Sequence, residues 1–350
     1  MRSPFDRSTD PTARALSLFP RRRAMMILDG RMTILDLMAA SRRHTTGRKK
    51  PPSRRLPGFV SRQVVSARRW FLNRRPVLRP DGRPDIQVVC GGCERVRADY
   101  CVDREDFPYL CIEFVAAGHG TLTVRGRDHD LVPGSVFAYG PGIPHTIRTD
   151  PRRRLLKYYV DFVGTAATAR MQTARIPPGS VLRVPQPHDV GEIFGLLQQC
   201  GLAHSSHTPA LCAQLLGVLL TKIAERGLRA DAVDPKSLDT YKRFRAFLAR
   251  ERLRLSSAAE AARDFGISTA YACRLFKRFD TTSPYQYLLQ ERMNLAADLL
   301  ARREAEGDRL LVKQVAAHLG FADQYQFSRA FKRTFGASPA RFQRETAGGP

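Results

Sequence analysis

Two short segments near the C-terminus carry arginine and glutamine at helical spacing, and these side chains suit the reading of DNA base edges. Arginine can make a bidentate contact to guanine, and glutamine can do the same for adenine. Arg274 and Arg329 are the candidates for guanine, or they brace their own helices instead. The predicted DNA-contacting set is Ala270, Tyr271, Cys273, Arg274, Lys277, Gln324, Tyr325, Gln326, Ser328, Arg329 and Lys332.

The residues before each segment predict the turn that would position it. A short Ala-rich helix ends at Gly266 in one copy and at Gly320 in the other, where glycine can adopt the left-handed conformation that ends a helix. Ser268 and Asp323 follow, and their side chains can accept hydrogen bonds from the free amides of the next helix. Each copy is therefore predicted to be a helix-turn-helix unit.

The two units belong to an internal repeat. Phe-Lys-Arg at 276–278 recurs at 331–333, and Ser-Pro at 283–284 recurs at 338–339. Proline is favoured at the first position of a helix, so a longer helix is predicted over Pro284–Leu300. This helix would hold the two units at a fixed separation. The alternative, a generic helical bundle with a basic face, does not account for the duplicated caps and spacing.

Residues 255–342 resemble the DNA-binding domain of the AraC/XylS family, and the second copy, 320–339, is close to the family's signature. The resemblance implies two reading heads in successive major grooves. The first copy departs from the pattern, with Thr281 where glycine is common and Ala272 where a larger aliphatic residue is usual. We therefore expect the first unit to be less rigid than the second.

Upstream, residues 59–164 have the pattern of an all-β domain. Short apolar runs alternate with Gly, Pro and Asp, which predicts a small barrel or sandwich. The predicted strands are Ile86–Val89, Tyr109–Val115, Thr121–Val124, Ser135–Tyr139 and Leu155–Phe162.

Strand alternation selects candidate ligand-binding side chains in this domain. Glu113 shares a strand face with Tyr109, Cys111 and Val115. Lys157, Tyr159 and Asp161 share a face of a later strand. An aromatic ring with carboxylates and a histidine offers the flat apolar surface and the acceptors that a sugar needs. The predicted ligand-binding set is Glu113, His145, Lys157, Tyr159 and Asp161; in the alternative, Glu113 and Asp161 are structural and paired with arginines.

The same domain resembles the cupin-like sensor domain of AraC-type regulators, which implies a sugar or another small metabolite as effector. The match runs through 118–124, 131–137, 141–145 and 158–162. The family's ligand-stacking aromatic falls at Tyr159, whereas its arabinose-contacting arginine corresponds to Ala117. Arabinose itself is therefore not expected. A ligand-independent regulator with a scaffold barrel remains an alternative.

A metal-dependent cupin enzyme is the rival interpretation. Only His145 fits one of the two metal-binding motifs, and His119 has no neighbouring His partner, so too few ligands are present. We predict no enzyme activity, no metal site and no cofactor. Cys90 and Cys93 could be redox-active, but ordinary reduced thiols are expected. The spacing of Cys200, His204, His207 and Cys212 loosely resembles a metal site, but no metal is expected there either.

The chain of 350 residues has a net charge of +25, which indicates an acidic partner such as nucleic acid. The sequence contains no secretory signal or membrane span, so a cytoplasmic protein with free thiols is expected. The predicted partners are double-stranded DNA, a small-molecule effector, a second copy of the chain, and RNA polymerase if the protein is an activator.

The predicted fold class is α+β, a cupin-like barrel followed by an all-α domain. The predicted divisions are a basic disordered extension over 1–58, the barrel over 59–164, a connector and helical segment over 165–232, and the DNA-binding domain over 238–345, with a short polar hinge over 231–237. The extension is a nucleic-acid-binding arm, a solvated tail or the product of a wrongly assigned start. Two connector helices are predicted, Val190–Leu202 and Pro209–Arg226. The second has a stripe that forms core or pairs two copies, at Leu211, Leu215, Val218, Leu219 and Ile223.

Overall fold

A computed structural model describes residues 61–72, 86–203, 205–301 and 310–346. The predicted extension over 1–58 and the candidate metal ligand His204 lie outside the described residues. No helix in the described ranges is long and apolar enough to cross a membrane.

The N-terminal domain is built from antiparallel strands, as the sequence predicted. Among the described residues, these strands form a seven-stranded sheet in the order β1-β2-β9-β4-β7-β10-β11 and a four-stranded sheet in the order β3-β8-β5-β6. The strands are β1 (Val64–Phe71), β2 (Gln87–Val96), β3 (Cys101–Arg104), β4 (Leu110–Ala117), β5 (Gly120–Val124), β6 (Arg127–Leu131), β7 (Ser135–Tyr139), β8 (His145–Thr149), β9 (Leu156–Val163), β10 (Val181–Arg183) and β11 (Leu228–Arg229). A core of inward side chains from both sheets fills the barrel. The α+β fold class is confirmed.

Strand β2 runs further than its apolar run Ile86–Val89 predicted. Gly91 and Gly92 look like a turn in the sequence, but here they let neighbouring groups approach the strand closely. A Cβ atom at Gly91 would lie 2.5 Å from the Trp70 ring, and one at Gly92 would lie 2.9 Å from the backbone oxygen of Arg68. The strand therefore continues to Val96 and carries Glu94 into the barrel.

Three helices follow β9: α1 (Ala167–Thr173), α2 (Pro187–Ala203) and α3 (Thr208–Arg226). Helix α2 packs on the outer face of the larger sheet, where Phe194 stacks on Phe114 with ring centroids 5.7 Å apart. The segment predicted as connector, 165–232, also supplies β10 and β11 to that sheet. These two strands are too short to leave a periodic pattern in the sequence.

The predicted apolar stripe of α3 divides between two faces. Leu219 and Ile223 are buried, whereas Leu211 and Val218 are 42% and 52% exposed. The buried face instead follows Cys212, Leu216, Leu219 and Ile223. The helix therefore packs on its own domain and still presents apolar side chains to solvent.

The C-terminal domain is helical: α4 (Pro235–Arg250), α5 (Ala258–Phe265), α6 (Thr269–Phe279), α7 (Pro284–Ala301), α8 (Val312–His318), α9 (Gln324–Phe335) and α10 (Pro339–Glu345). Its described residues form two cores, and α7 contributes Leu288 to the first and Met293 to the second. The predicted rigid helix between two units is therefore present. The polar hinge predicted over 231–237 is shorter, because Asp234 accepts hydrogen bonds from the amides of Lys236 and Ser237 and begins α4.

Candidate nucleic-acid interface and effector site

The first helix-turn-helix unit comprises α5 and α6, which we call the first unit. Helix α5 ends at Gly266, whose φ of +83° is the left-handed conformation predicted from the sequence. The Ser268 hydroxyl then accepts a hydrogen bond from the amide of Tyr271 at 3.2 Å and starts α6. These local signals fix the direction of α6, the first recognition helix.

The second unit comprises α8 and α9 and has the same local structure. Gly320 follows the end of α8 with a φ of +73°. The Asp323 carboxylate accepts a hydrogen bond from the amide of Tyr325 at 2.9 Å and starts α9, the second recognition helix. Buried Phe327 and Phe331 pack inward as predicted, and the opposite face of α9 is polar.

Most of the predicted DNA-contacting side chains lie on exposed surface. Tyr325 is the most prominent of them, with 78% of its surface exposed. Tyr271 and Ser328 are half-buried, and Tyr271 packs partly against the first core. The exposed members are Ala270, Cys273, Arg274, Lys277, Gln324, Gln326, Arg329 and Lys332. Their role in base reading stays a prediction.

In the alternative role, Arg274 and Arg329 would stabilise their own helices through contacts within the protein. The Arg274 guanidinium lies 5.6 Å from the centroid of the Tyr271 ring. Within the described part of the chain, neither arginine forms an ion pair with a carboxylate. Both guanidinium groups therefore keep their charge available to a phosphate or a base.

Replacement of Arg329 by Ala is expected to weaken specific DNA binding by about 1–3 kcal/mol and to relax one base position, because a bidentate base contact is lost. Arg333→Ala is the matched control, since Arg333 is exposed beyond the reading positions and would contact phosphate only. Binding to a set of single-base operator variants measures both effects. An unchanged base preference in Arg329→Ala would remove Arg329 from the reading set.

The predicted effector residues meet inside the barrel. Glu113 and Lys157 lie on neighbouring strands β4 and β9, and Lys157 Nζ is 2.9 Å from Glu113 Oε2. The same Nζ is 3.3 Å from Glu94 Oε2, and the Tyr139 hydroxyl donates to Glu113 Oε1 at 2.6 Å. Burial lowers the pKa of Lys157, but the charges of Glu113, Tyr100 and Glu94 outweigh burial and raise that pKa well above its ordinary value. Lys157 is therefore a charged group between two carboxylates.

Asp161, Tyr159 and His145 have hydrogen-bonding atoms that the protein does not use. Asp161 Oδ2 accepts from the Cys90 thiol at 3.1 Å, whereas its Oδ1 has no partner among the described residues. The Tyr159 hydroxyl and His145 Nε2 are likewise buried without a partner in the described ranges. His145 is held by its other side, with Nδ1 3.0 Å from the Ile143 carbonyl oxygen and its ring stacked on Tyr139 at 3.9 Å. These three atoms are open hydrogen-bonding positions in the barrel.

The alternative in which Glu113 and Asp161 are paired with arginines is wrong about the partners of these two carboxylates. Glu113 is paired with Lys157, and Asp161 is held by a thiol. An arginine does bond one buried carboxylate, but it is Glu94, with Arg69 Nε 2.7 Å away. The sequence interpretation missed the other groups around the cluster, namely Glu94, Tyr100, Arg104 and Tyr139. Alternation along the full length of β2 and β7 would have placed Glu94 and Tyr139 there.

Two of the cavities in this domain differ in size and chemistry. The inner one, among the charged cluster and Tyr159, has a volume of about 20 Å³, which suffices for about one water molecule. The outer one has a volume of about 580 Å³, within the range of small-molecule sites. Its lining is mostly apolar and includes Leu110, Ile143, Thr168 and Gln172. Tyr159 and Asp161, which carry two of the unused polar atoms, line the inner cavity and not the outer one.

The buried carboxyl of Asp161 gives the fold a pH dependence. Burial raises its pKa from 3.8 to about 6, while the neighbouring thiols of Cys111 and Cys90 lower it. The folded state therefore binds more protons than the unfolded state between these values, so this group's contribution to stability is lost as the pH rises through about 6. Asp161→Asn removes the titration and is expected to stabilise the protein at pH 7 by up to roughly 3 kcal/mol.

Chemical denaturation of both proteins from pH 4 to pH 7 measures this effect, and the two curves should converge near pH 4. Asp150→Asn is the control of opposite sign, because hydrogen bonds from the amides of Arg153 and Arg152 lower the pKa of Asp150. That stabilisation is present above the unfolded pKa and is lost as the pH falls through the folded one, so Asp150→Asn should destabilise at pH 7. An Asp161→Asn protein less stable than wild type at pH 7 would contradict the assignment.

The cysteines do not assemble a site in the described ranges. No group of three His, Cys, Asp or Glu side chains there could hold a metal ion, and the cysteines are free thiols. Cys90 faces the barrel core, and burial raises the pKa of the Cys93 thiol to about 11. Such thiols are protonated at neutral pH and are unreactive.

Comparison with known families agrees with this geometry. Residues 88–220 match the AraC-like ligand binding domain, and residues 261–345 match a helix-turn-helix domain. The chain therefore carries both domains of an AraC/XylS-type regulator. It is an AraC-type transcription regulator with a ligand-binding domain, and the rival enzymatic interpretation is set aside because the family and its named relatives are regulators.

Several curated proteins are similar to this AraC-type regulator. It is 23% identical to the Msm operon regulatory protein of Streptococcus mutans over 75% of this chain and 93% of that protein. It is 24% identical to the arabinose operon regulatory protein of Salmonella typhimurium over 70% of this chain and 87% of that protein. The probable transcriptional regulator LumQ of Photobacterium leiognathi is 42% identical over 20% of this chain and 26% of that protein.

Proposed function

We propose that this regulator binds a polyhydroxylated small molecule, a sugar or a related metabolite, in the barrel and reads a bipartite DNA site as a homodimer. The observation that carries the effector assignment is the set of open hydrogen-bonding positions at Asp161, Tyr159 and His145. A buried polar group without a partner costs free energy, and a ligand with several hydroxyls would supply the partners. Two relatives, the arabinose operon regulatory protein of Salmonella typhimurium and the raffinose operon transcriptional regulatory protein RafR of Pediococcus pentosaceus, support the same effector class.

The chemistry of the inner cluster fits a neutral polyol better than a charged ligand. Lys157 is paired with Glu113 and Glu94, and Arg69 with Glu94, so neither of these two cations is free to pair with an anionic ligand. Asp161 offers an acceptor, and the ring of Tyr159 offers a flat apolar face. Because the inner cavity holds about one water, the side chains around it must part to admit a sugar.

Isothermal titration with a panel of mono- and disaccharides tests this proposal. Tyr159→Phe and Asp161→Asn should each weaken binding about tenfold or more, since the first removes a hydroxyl partner of the ligand and the second replaces a charged acceptor by a weaker neutral one. Thr168→Val and Gln172→Leu, which alter the outer cavity, are the matched controls and should bind normally. The reverse pattern would move the effector to the outer cavity, and no binding by any sugar would favour the ligand-independent regulator.

The pH dependence of sugar affinity tests whether the ionised Asp161 carboxylate binds the sugar. A ligand hydroxyl that donates to Asp161 binds the ionised carboxylate, so affinity should fall as the pH drops below about 6. The Asp161→Asn protein should lose that dependence. An affinity that rises on acidification would exclude donation to Asp161.

The homodimer is proposed from the solvent face of α3. Leu211, Leu215 and Val218 follow one another at helical spacing there, and Leu211 and Val218 are exposed. A second copy would cover this face and double the length of DNA that is read. If the protein activates transcription, RNA polymerase is the further partner. Sedimentation equilibrium of wild type and Leu211→Glu tests the dimer, which the charged variant should lose.

A further inference from the structure

Asp280 lies at the C-terminal end of the first recognition helix, at the junction with the N-terminal domain. It is the residue after Phe279, and its amide donates to the Phe276 carbonyl oxygen at 2.7 Å. Its Oδ1 accepts from the amides of Thr281 at 2.8 Å and Thr282 at 3.3 Å. One carboxylate oxygen therefore fixes the turn between α6 and α7.

The second carboxylate oxygen is held from outside the first unit. The Tyr241 hydroxyl on α4 donates to Asp280 Oδ2 at 2.6 Å. Gln186, between β10 and α2, donates through Nε2 to the same oxygen at 3.1 Å and to the Tyr241 hydroxyl at 2.7 Å. Burial and the Asp280 carboxylate raise the pKa of Tyr241, so its hydroxyl stays a donor. Three side chains from three parts of the chain thus share one hydrogen-bonded cluster.

Two arginines approach the same carboxylate at longer range. Arg226, the last residue of α3, has Nη1 4.0 Å from Asp280 Oδ1, and Arg245 on α4 has Nε 3.5 Å from Oδ2. Those two nitrogens are buried and form no hydrogen bond with the described residues. The Asp280 side chain is only 6% exposed, so this attraction is weakly screened. The N-terminal domain is therefore linked to Asp280 by a hydrogen bond from Gln186 and by electrostatic attraction from Arg226.

A second contact joins the connector to the same helix end. Arg278, two residues before Asp280, donates a hydrogen bond to the carbonyl oxygen of Ala232. By contrast, α9 makes no hydrogen bond or ion pair with the N-terminal domain in the part of the chain that the structure describes. The first recognition helix is therefore tied to the N-terminal domain directly, whereas the second has no such bond among the described residues.

We propose that Asp280 is a positioning residue that couples the first recognition helix, and not the second, to the N-terminal domain through Gln186 and Arg226. A change at the start of α2 or the end of α3 would shift the end of α6 and so alter the reading of one DNA half-element. The idea that the effector drives such a change rests on the proposed function. The coupling itself is a property of the protein without DNA or effector.

Amide hydrogen exchange of the full chain tests the coupling. Gln186→Leu removes the donor from the N-terminal domain, and amides of 269–279 are expected to exchange roughly tenfold faster, while those of 324–335 are unchanged. Gln343→Leu is the matched control, because Gln343 donates to the Leu310 carbonyl oxygen within the second half of the DNA-binding domain. It should leave 269–279 unchanged. Unaltered exchange in 269–279, or equal acceleration in both recognition helices, would overturn the proposal.

Two further variants separate coupling from folding. Tyr241→Phe keeps the ring in the core and loses only the hydroxyl. It should therefore accelerate amide exchange in residues 269–279 as Gln186→Leu does. Asp280→Asn can keep Oδ1 for the turn and replaces the oxygen that faces Tyr241 and Gln186. It should accelerate exchange of the same amides without unfolding the turn. Wild-type exchange rates in both variants would contradict the assignment.

A DNA measurement distinguishes failure of the coupling from failure of the proposed function. The probe is a bipartite duplex selected by the wild-type protein, with each half-element scrambled in turn. Gln186→Leu should weaken binding about tenfold when the half-element sensitive to Arg274→Ala is present, and it should equal wild type when that element is scrambled. If no bipartite duplex is selected, the proposed function fails, whereas the exchange result still decides the coupling.

Discussion

Phe331→Ala is expected to abolish reading of one DNA half-element while the other is still bound. Phe331 is fully buried, and its ring centroid lies 4.6 Å from that of Phe335 and 5.4 Å from that of Phe342. Removal of a buried phenylalanine side chain costs about 3–5 kcal/mol, a large part of the stability of a small unit. Because the two cores of the DNA-binding domain are separate, the first unit should stay folded.

The reciprocal variant makes this prediction sharper. Phe276 is buried in the first core and lies 5.4 Å from the Tyr241 ring, so Phe276→Ala should abolish the other half-element. Leu311→Ala is the control, because Leu311 is 66% exposed, and this variant should still bind both half-elements. Footprinting of the three proteins on one duplex gives the comparison. Loss of binding to both half-elements in each core variant would show that the two helix-turn-helix units fold and bind as a single cooperative unit.

Lys157→Met is expected to destabilise the barrel by about 3–5 kcal/mol, because it leaves buried carboxylates without their cation. Glu113 loses its ion pair at 2.9 Å and keeps only the bond from Tyr139, whereas Glu94 keeps Arg69. Thermal and chemical unfolding of the full chain measure this loss of stability.

A second substitution separates loss of charge from loss of packing. Glu113→Gln in the Lys157→Met background removes the uncompensated carboxylate and still accepts from Tyr139, so it should restore much of the stability. A double variant as unstable as the single one would mean that packing of the lysine stem, and not charge, is lost. DNA binding by the C-terminal domain should persist in both proteins at temperatures where they stay folded.

The helix-turn-helix units were predictable because their determinants are local. Gly266, Ser268, Gly320 and Asp323 each act within a few residues of their position, and the structure shows every one in its predicted role. The long helix α7 was predictable for the same reason, from Ser-Pro at 283–284. No contact from elsewhere in the chain was needed to make these assignments.

The barrel was predictable only in part because its strands depend on distant contacts. Strands β3, β6 and β8 carry exposed polar side chains on the smaller sheet, so no apolar run marks them. The length of β2 depends on Trp70 packing over Gly91. Glu94 was missed for that reason, whereas alternation along β9 correctly put Lys157, Tyr159 and Asp161 on one face.

The junction at Asp280 left no signal that sequence reasoning could use. Gln186, Arg226 and Asp280 are far apart in the chain, and each is an ordinary polar residue at the end of an element. Their convergence depends on how the connector returns from β11 to α4. The predicted hinge over 231–237 marked the right region but did not reveal the contacts across it.

Selection of bound sequences from a random duplex pool, at a stated salt concentration and with and without a sugar that binds, tests the central claim most directly. Two reading heads on a regulated protein predict a bipartite site with half-elements about one helical turn, roughly 34 Å, apart. The sugar should change the enrichment. Enrichment of no sequence would contradict the account, because it would mean that positive charge alone drives DNA binding.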